Sequence, residues 1–182
     1  MQSAGALLQI DELPVAERGL LGMCCCPGRL ESGPGGLAWQ RDVQADLDAI
    51  ASWRPDLVVS LVEIHEFSML GVADLPRQLK RQFNWRHWPV RDLQAPTAAG
   101  PAASLLGELL ARLCGGDRVL LHCAAGLGRT GTLAAQLLIE SGSAAVDAIA
   151  TVRQTRSGAI ESDAQEAFLL ALDKTPRITS GS

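Results

Sequence analysis

The chain has 182 residues, of which 47% are hydrophobic and 20% are charged, and its formal net charge at pH 7 is −4. These values are typical of a folded chain with one substantial core, and they argue against a disordered protein or a basic protein that coats nucleic acid. No run of about 18 apolar residues predicts a membrane-spanning helix. No Lys or Arg precedes the first apolar stretch, so no secretory signal is predicted either.

The first predicted elements are short strands and turns. Pro27-Gly28 and the Gly-Pro-Gly-Gly run at 33–36 divide the first forty residues into short apolar pieces. A helix is predicted after Asp42, the expected N-cap, and before Pro55, because apolar residues between them recur at helical spacing. The apolar run over 57–62 then predicts a buried strand.

In the rest of the chain, helices and strands alternate. We expect a helix over 74–83, a strand over 85–90 and an irregular segment over 91–96. A helix from Pro101 to the Gly115-Gly116 pair, a strand over 118–122 and helices over 129–141, 144–156 and 163–173 follow.

This order predicts an α/β fold in which helices flank a central, mostly parallel, twisted sheet. We expect residues 1–182 to form a single domain. Residues 1–40 are expected to be an N-terminal extension of strands and turns, and 174–182 a flexible tail.

The loop after the 118–122 strand has the composition of an anion site. Small residues let a tight loop turn its backbone N–H groups inward, and the following helix adds unpaired donors and the positive end of its dipole. Phosphate, sulfate or vanadate is therefore expected to bind here, with Arg129 as a two-pronged donor. The predicted binding residues are Ala124, Ala125, Gly126, Leu127, Gly128 and Arg129.

Cys123 stands at the base of this loop. A helix N-terminus and a nearby cation favour the thiolate form of cysteine, which is the nucleophilic form. A thiolate there can attack phosphorus while the loop N–H groups hold the equatorial oxygens. Thr130 is expected to donate a hydroxyl hydrogen bond to the sulfur.

The segment HCAAGLGRTG resembles the H-C-x5-R-[ST] signature of the cysteine-dependent protein tyrosine phosphatase superfamily. It is similar especially to dual-specificity phosphatases of the cyclin-dependent-kinase-associated group. The segments LLGMCCCPGRL, HWPVRDLQAP and RSGAIESDAQEAFL also look like counterparts of segments in that group. The resemblance implies a protein tyrosine phosphatase-like fold, a transient phosphocysteine on Cys123, phosphate held by Arg129 and hydrolysis aided by Thr130.

A leaving alkoxide or phenoxide needs a proton, and Asp92 is the candidate general acid. It lies in the irregular segment after a predicted strand, 31 residues before Cys123. WPVRD is similar to the W-P-x-D motif that carries the superfamily's acid, with one extra residue. The alternative for Asp92 is an exposed residue that caps the turn before Pro96. Asp117 is a competing acid, but it precedes a strand and is predicted at the far end of the sheet.

Two further residues are assigned supporting roles. Gln165 matches a glutamine that orients the hydrolytic water in some members of the superfamily; the alternative is a solvated amide on a helix face. His122 is expected to fix the loop through hydrogen bonds to backbone carbonyls, without proton transfer.

The other cysteines, Cys24, Cys25, Cys26 and Cys114, are expected to be packed small hydrophobic residues. Alternatively, one of them forms a reversible disulfide with oxidised Cys123. The odd number of cysteines and the consecutive run of three favour a reducing, cytoplasmic setting. No spacing typical of a zinc site occurs, and no cofactor is expected.

The expected substrates are phosphorylated proteins or peptides carrying phosphotyrosine or phosphoserine/threonine, because no segment resembles the tyrosine-gripping part of tyrosine-only phosphatases. Phosphoinositide phosphatases of the superfamily place lysines in the loop, whereas this loop has none, so a lipid substrate is disfavoured. RNA 5′-triphosphatases generally work without the acid, so a role for Asp92 counts against that activity. A rhodanese-like sulfurtransferase has a loop that is one residue shorter, so the five residues between Cys123 and Arg129 favour a phosphatase. A non-catalytic phosphopeptide-binding module usually lacks the Cys, the Arg or the acid, and all three are present here. Neither nucleic acid nor membrane insertion is expected, and the oligomeric state stays open.

Overall fold

The computed structural model describes residues 7–32 and 38–172. Three predicted features therefore lie outside the described residues: the first residues of the N-terminal extension, the Gly-Pro-Gly-Gly turn at 33–36 and the tail at 174–182. None of the helices in the described ranges is long and apolar enough to cross a membrane.

A five-stranded sheet organises the molecule. The strands of the described residues are, in chain order, β1 (Asp11–Val15), β2 (Gly19–Cys24), β3 (Leu30–Ser32), β4 (Ala38–Gln40), β5 (Leu57–Ser60), β6 (Trp85–His87) and β7 (Arg118–His122). The main sheet has the order β1-β2-β7-β5-β6, and β3 and β4 form a separate hairpin. Within the main sheet, β1 is antiparallel to β2, whereas β2, β7, β5 and β6 all run parallel. The predicted mostly parallel sheet is confirmed.

Helices flank this sheet. They are, in chain order, α1 (Val43–Trp53), α2 (Ile64–Met69), α3 (Leu75–Gln82), α4 (Pro101–Gly115), α5 (Gly128–Glu140), α6 (Ala145–Thr155) and α7 (Asp163–Leu172). Both α4 and α5 pack against β2 and β7, and α6 and α7 pack against α5. The α/β fold predicted from the alternating pattern is confirmed.

Local signals place most helix ends correctly. The Asp42 carboxylate accepts hydrogen bonds from the Gln44 and Ala45 N–H groups, which makes it the N-cap of α1. Pro101 is the first residue of α4, and Gly116, in the left-handed conformation, ends it. Each of these signals depends on a few adjacent residues, so the sequence is sufficient to read them.

Two predicted strands extend too far, and one helix has no sequence signal. The strands predicted over 57–62 and 85–90 end at Ser60 and His87, since buried apolar residues continue beyond the hydrogen-bonded ladder. No periodicity predicts α2, because six residues are too few to show it. This helix supplies a residue of the candidate site.

The centre of the core lies where β5 and β7 meet α5. Every residue of β5 is buried, as is every residue of α5 from Gly128 to Ile139. Each fully buried Val or Leu side chain stabilises such a core by about 2 kcal/mol. The loop between β7 and α5 is therefore held between two elements that are themselves fixed by packing.

Candidate active site

The candidate site lies at the carboxyl edge of the parallel strands. His122, the last residue of β7, pairs with Cys24 of β2 and with Ser60 of β5. Segments that follow these strands therefore meet at one edge, as in other open α/β sheets. The residues gathered there include Cys123 after β7, Glu66 on α2 after β5, and Asp92 after β6.

The Cys123 side chain is enclosed by its own loop. Cys123 is only 3% exposed, and the Gly126 N–H donates a hydrogen bond to its Sγ over 3.2 Å. A backbone donor aimed at sulfur favours a negative charge on that atom. Gly126 has φ +72°, and a Cβ there would collide with the Cys24 carbonyl oxygen. Only glycine fits this position without strain.

Arg129 is a buried cation held by a carboxylate. Its side chain is 1% exposed; Nη1 and Nη2 donate to Glu66 Oε2 and Oε1 over 2.6 and 2.9 Å, and Nη1 also donates to the Val90 carbonyl. Burial lowers the pKa of Arg129, but the bond to Glu66 and the charge of Cys123 outweigh it and raise the pKa above its usual value. Burial alone would raise the pKa of Glu66. The hydrogen bonds from Arg129 and the Glu63 N–H outweigh burial and lower the pKa of Glu66 overall. Both groups are therefore ionised at neutral pH.

Two buried polar atoms at the loop have no hydrogen-bond partner among the described residues. They are Arg129 Nε and Thr130 Oγ1. The expected hydrogen bond from Thr130 to the Cys123 sulfur is thus not formed in this structure. A buried polar atom without a partner costs about 1–3 kcal/mol, so both donors are available to groups that arrive with a reaction: Arg129 Nε suits an acceptor oxygen.

Asp92 lies over this loop. Its Oδ1 is 3.4 Å from Arg129 Nη2, and the side chain is 68% exposed. The surrounding segment is anchored at several carbonyls: Arg129 binds that of Val90, Ser162 Oγ donates to that of Leu93, and Gln165 Nε2 donates to that of Gln94. The competing acid, Asp117, precedes β7 and binds Arg112 at the opposite end of the sheet. Of these two carboxylates, Asp92 is therefore the one that lies beside the anion loop.

Gln165 is buried, so its alternative interpretation as a solvated amide is wrong. Its Oε1 accepts hydrogen bonds from the N–H groups of Glu161 and Ser162, the two residues that directly precede α7. A Cβ on Gly128 would lie 3.0 Å from Gln165 Nε2. The amide therefore lies beside both the anion loop and the Asp92 segment.

His122 is a neutral structural residue beneath the loop. Its Nε2 lies 2.6 Å from Ser60 Oγ, which itself accepts a hydrogen bond from Trp85 Nε1, and its Nδ1 lies 3.3 Å from the Cys123 carbonyl. A neutral ring with its proton on Nδ1 fits all of these contacts. Ser60 Oγ then donates to Nε2, and Nδ1 donates to the Cys123 carbonyl. Burial disfavours the charged ring and lowers the pKa of His122 from 6.5 to about 4.

Acid should therefore destabilise the fold through His122. With the folded-state pKa below the unfolded value, the unfolded chain binds more protons between about pH 6.5 and pH 4. The stability is fully present above pH 6.5 and falls by about 3 kcal/mol by pH 4. Urea unfolding from pH 7 to pH 4 should show this loss in the wild type and a shallower slope in His122→Asn. Equal slopes in the wild type and His122→Asn would contradict the assignment.

Three charged residues of the site are not among the predicted site residues. Glu66 is on the unpredicted helix α2, and Arg29 and Arg156 bind carbonyl oxygens on the outside of the loop. The position of Glu66 after β5 is a usable signal, because β5 is parallel to β7 and its carboxyl end meets the same edge. The two arginines have no comparable signal, since each depends on long-range packing.

The remaining cysteines differ in environment. Cys24 and Cys26 are buried as expected and Cys25 is half-buried, but Cys114 is exposed, so its predicted packing is wrong. Burial raises the pKa of the Cys24, Cys25 and Cys26 thiols, which keeps them protonated. Within the described ranges, no group of three or more His, Cys, Asp or Glu side chains is placed to bind a metal ion.

Comparisons with known proteins identify the family and the fold. A family model described as "Polymorphic toxin system, DSP-PTPase phosphatase" matches residues 36–143. The crystal structure of kinase-associated phosphatase with its catalytic-site cysteine replaced by serine superimposes with a TM-score of 0.79 at 25% identity, covering 91% of this chain and 97% of that chain. Tk-PTP in its active form matches with a TM-score of 0.62 at 30% identity, covering 85% of this chain and 91% of that chain.

Human protein tyrosine phosphatase type IVA 3 is 44% identical over 77 residues, which are 41% of this chain and 44% of that protein. This match thus spans less than half the length of that relative. The fold and these matches place the chain in the protein tyrosine phosphatase and dual-specificity phosphatase superfamily. Within it, the chain belongs to the family described as "Polymorphic toxin system, DSP-PTPase phosphatase".

Proposed function

We propose that the protein is a dual-specificity phosphoprotein phosphatase that hydrolyses phosphotyrosine and phosphoserine/threonine monoesters through a phosphocysteine on Cys123. One observation carries the proposal. The Cys123 sulfur accepts a hydrogen bond from a backbone N–H inside a loop where the cationic Arg129 has a buried donor that lacks a partner among the described residues. That combination stabilises both a nucleophilic thiolate and a bound oxyanion.

In the first step, Cys123 Sγ attacks phosphorus as the bond to the leaving oxygen breaks. Arg129 and the inward N–H groups of residues 124–128 hold the three equatorial oxygens, while Asp92 gives its proton to the leaving oxygen. The 3.4 Å separation between Asp92 Oδ1 and Arg129 Nη2 supports this role for Asp92. The products of this step are the dephosphorylated alcohol or phenol and the phosphocysteine.

In the second step, water attacks the phosphocysteine and the sulfur leaves as thiolate. Asp92, now a carboxylate, accepts the proton of the water. Gln165 orients this water; it uses one Nε2 proton on the Gln94 carbonyl and retains a second donor. Thr130, whose Oγ1 has no partner among the described residues, donates to the departing sulfur.

The composition of the loop supports a protein substrate. Its interior, Ala-Ala-Gly-Leu-Gly, has no lysine to neutralise the additional phosphates of an inositol lipid. A role for Asp92 argues against RNA triphosphatase activity. All five cysteines are free thiols, so the proposed activity belongs in a reducing compartment such as the cytoplasm.

A substrate panel tests the proposal. Phosphate release should be measured from one peptide carrying phosphotyrosine, phosphoserine or phosphothreonine, from a phosphoinositide and from a 5′-triphosphorylated RNA, with Cys123→Ser protein as the blank. We expect hydrolysis of all three peptides and kcat/KM values for the lipid and the RNA that are at least about tenfold lower. Activity on phosphotyrosine alone would refute dual specificity, and faster turnover of the lipid or the RNA would refute the protein substrate.

A further inference from the structure

The outer side of the anion loop is held by two arginines. Arg29 Nη1 donates to the Ala124 carbonyl over 2.8 Å, and the Cys26 N–H donates to the same oxygen over 3.0 Å. Arg156 binds the next two carbonyls: Nε donates to that of Gly126 over 2.6 Å, and Nη2 to that of Ala125 over 3.2 Å. Three successive carbonyl oxygens are therefore bound on the side of the loop away from Cys123.

The direction of these carbonyls decides what the loop presents to an anion. In a planar trans peptide, the C=O and the following N–H point in opposite directions. Outward carbonyls at Ala125 and Gly126 therefore turn the N–H groups of Gly126 and Leu127 inward. The bond from the Gly126 N–H to the Cys123 sulfur agrees with this orientation. A rotated peptide would instead present a carbonyl oxygen to the phosphate and repel it.

Arg156 is itself rigidly placed. It follows directly after α6, and its side chain is 13% exposed. Its third nitrogen, Nη1, donates to Asp11 Oδ2 at the start of β1 over 2.6 Å. One planar guanidinium thus links β1 and the end of α6 to two adjacent peptide groups of the loop. A lysine ammonium has the charge but not the fork of donors that reaches two carbonyls and a carboxylate at once.

We propose that Arg156 is a positioning residue for the phosphatase reaction: it fixes the Ala125 and Gly126 peptide groups so that their neighbouring N–H groups face the transferring phosphoryl group. The inference rests on the proposed function, but it also applies to simple oxyanion binding. The fixed N–H groups match the charge distribution of the transition state. Losing their orientation therefore reduces kcat as well as the affinity for an oxyanion. The Arg156 guanidinium binds two loop carbonyls and Asp11, so its effect on the reacting atoms is indirect.

The test compares Arg156→Lys with a matched control, Arg112→Lys. Arg112 also binds several acceptors through one guanidinium, but these are the carboxylates of Glu108 and Asp117 at the opposite end of the sheet. At a temperature well below both melting points, tungstate affinity should be measured by calorimetry, and kcat and KM with p-nitrophenyl phosphate. We expect Arg156→Lys to weaken tungstate binding by about tenfold and to lower kcat by about 10–100-fold. Arg112→Lys should change both by less than about twofold.

Folded Arg156→Lys protein with wild-type tungstate affinity and kcat would overturn the inference. If that variant does not fold, Asp11→Ala decides the matter, because it releases the guanidinium from its anchor without replacing it. We expect Asp11→Ala to reduce tungstate affinity and kcat by a smaller factor, and unchanged values would overturn the inference equally. Wild-type protein that binds tungstate but hydrolyses no phosphate ester would refute the proposed function and leave the positioning role of Arg156 in place.

Discussion

Cys123→Ser protein should have lost at least about 10⁴-fold in kcat on p-nitrophenyl phosphate at pH 7 while still binding tungstate with an affinity within a few-fold of the wild type. Removing an enzyme's nucleophile typically costs this much, because the uncharged serine hydroxyl does not replace the thiolate. Binding persists because the donors that hold the anion are the loop N–H groups and Arg129, none of which changes. Initial rates and calorimetry on one preparation separate the two effects.

The control for Cys123→Ser is Cys114→Ser. Cys114 is exposed at the end of α4, outside the loop, so the same chemical change should leave turnover unaltered. Residual turnover of more than about 10% in Cys123→Ser would exclude the sulfur as nucleophile. Loss of both turnover and tungstate binding would instead show that the substitution distorts the loop.

Asp92→Asn should show a dependence on the leaving group that the wild type lacks. With phenyl phosphate, a poor leaving group, we expect kcat/KM to fall by about 10²–10³-fold, as is usual when a general acid is removed. With p-nitrophenyl phosphate the fall should be about tenfold or less, since this phenoxide leaves without full protonation. The exposed position of Asp92, 3.4 Å from Arg129, is compatible with direct contact to the leaving oxygen.

Asp117→Asn is the matched control for this acid. It removes the other sequence candidate, which binds Arg112 at the far end of the sheet, and should leave both substrates unaffected. An equal decrease for both leaving groups in Asp92→Asn would show that Asp92 supports the site without donating a proton. A leaving-group effect in Asp117→Asn would refute the assignment altogether.

The fold was predictable wherever a few adjacent residues decide the structure. Asp42 caps α1, Pro101 starts α4 and Gly116 ends it through contacts within one helical turn. The ends of β5 and β6 were not predictable, because burial continues past the last ladder hydrogen bond and hydropathy measures burial only. Helix α2 is too short for periodicity to show, and its Glu66 therefore had no assigned role.

The anion loop is predictable from local sequence, since Cys123, the small residues after it and Arg129 lie in one contiguous segment between a strand and a helix. Which side chains hold that segment depends on long-range contacts, and these are visible only in the folded chain. Glu66 reaches Arg129 across 63 positions, and Arg156 reaches the Gly126 carbonyl across 30. A single charged residue in a sequence has many possible partners. The strand order β1-β2-β7-β5-β6 selects among them, because it sets which strand ends meet at one edge of the sheet.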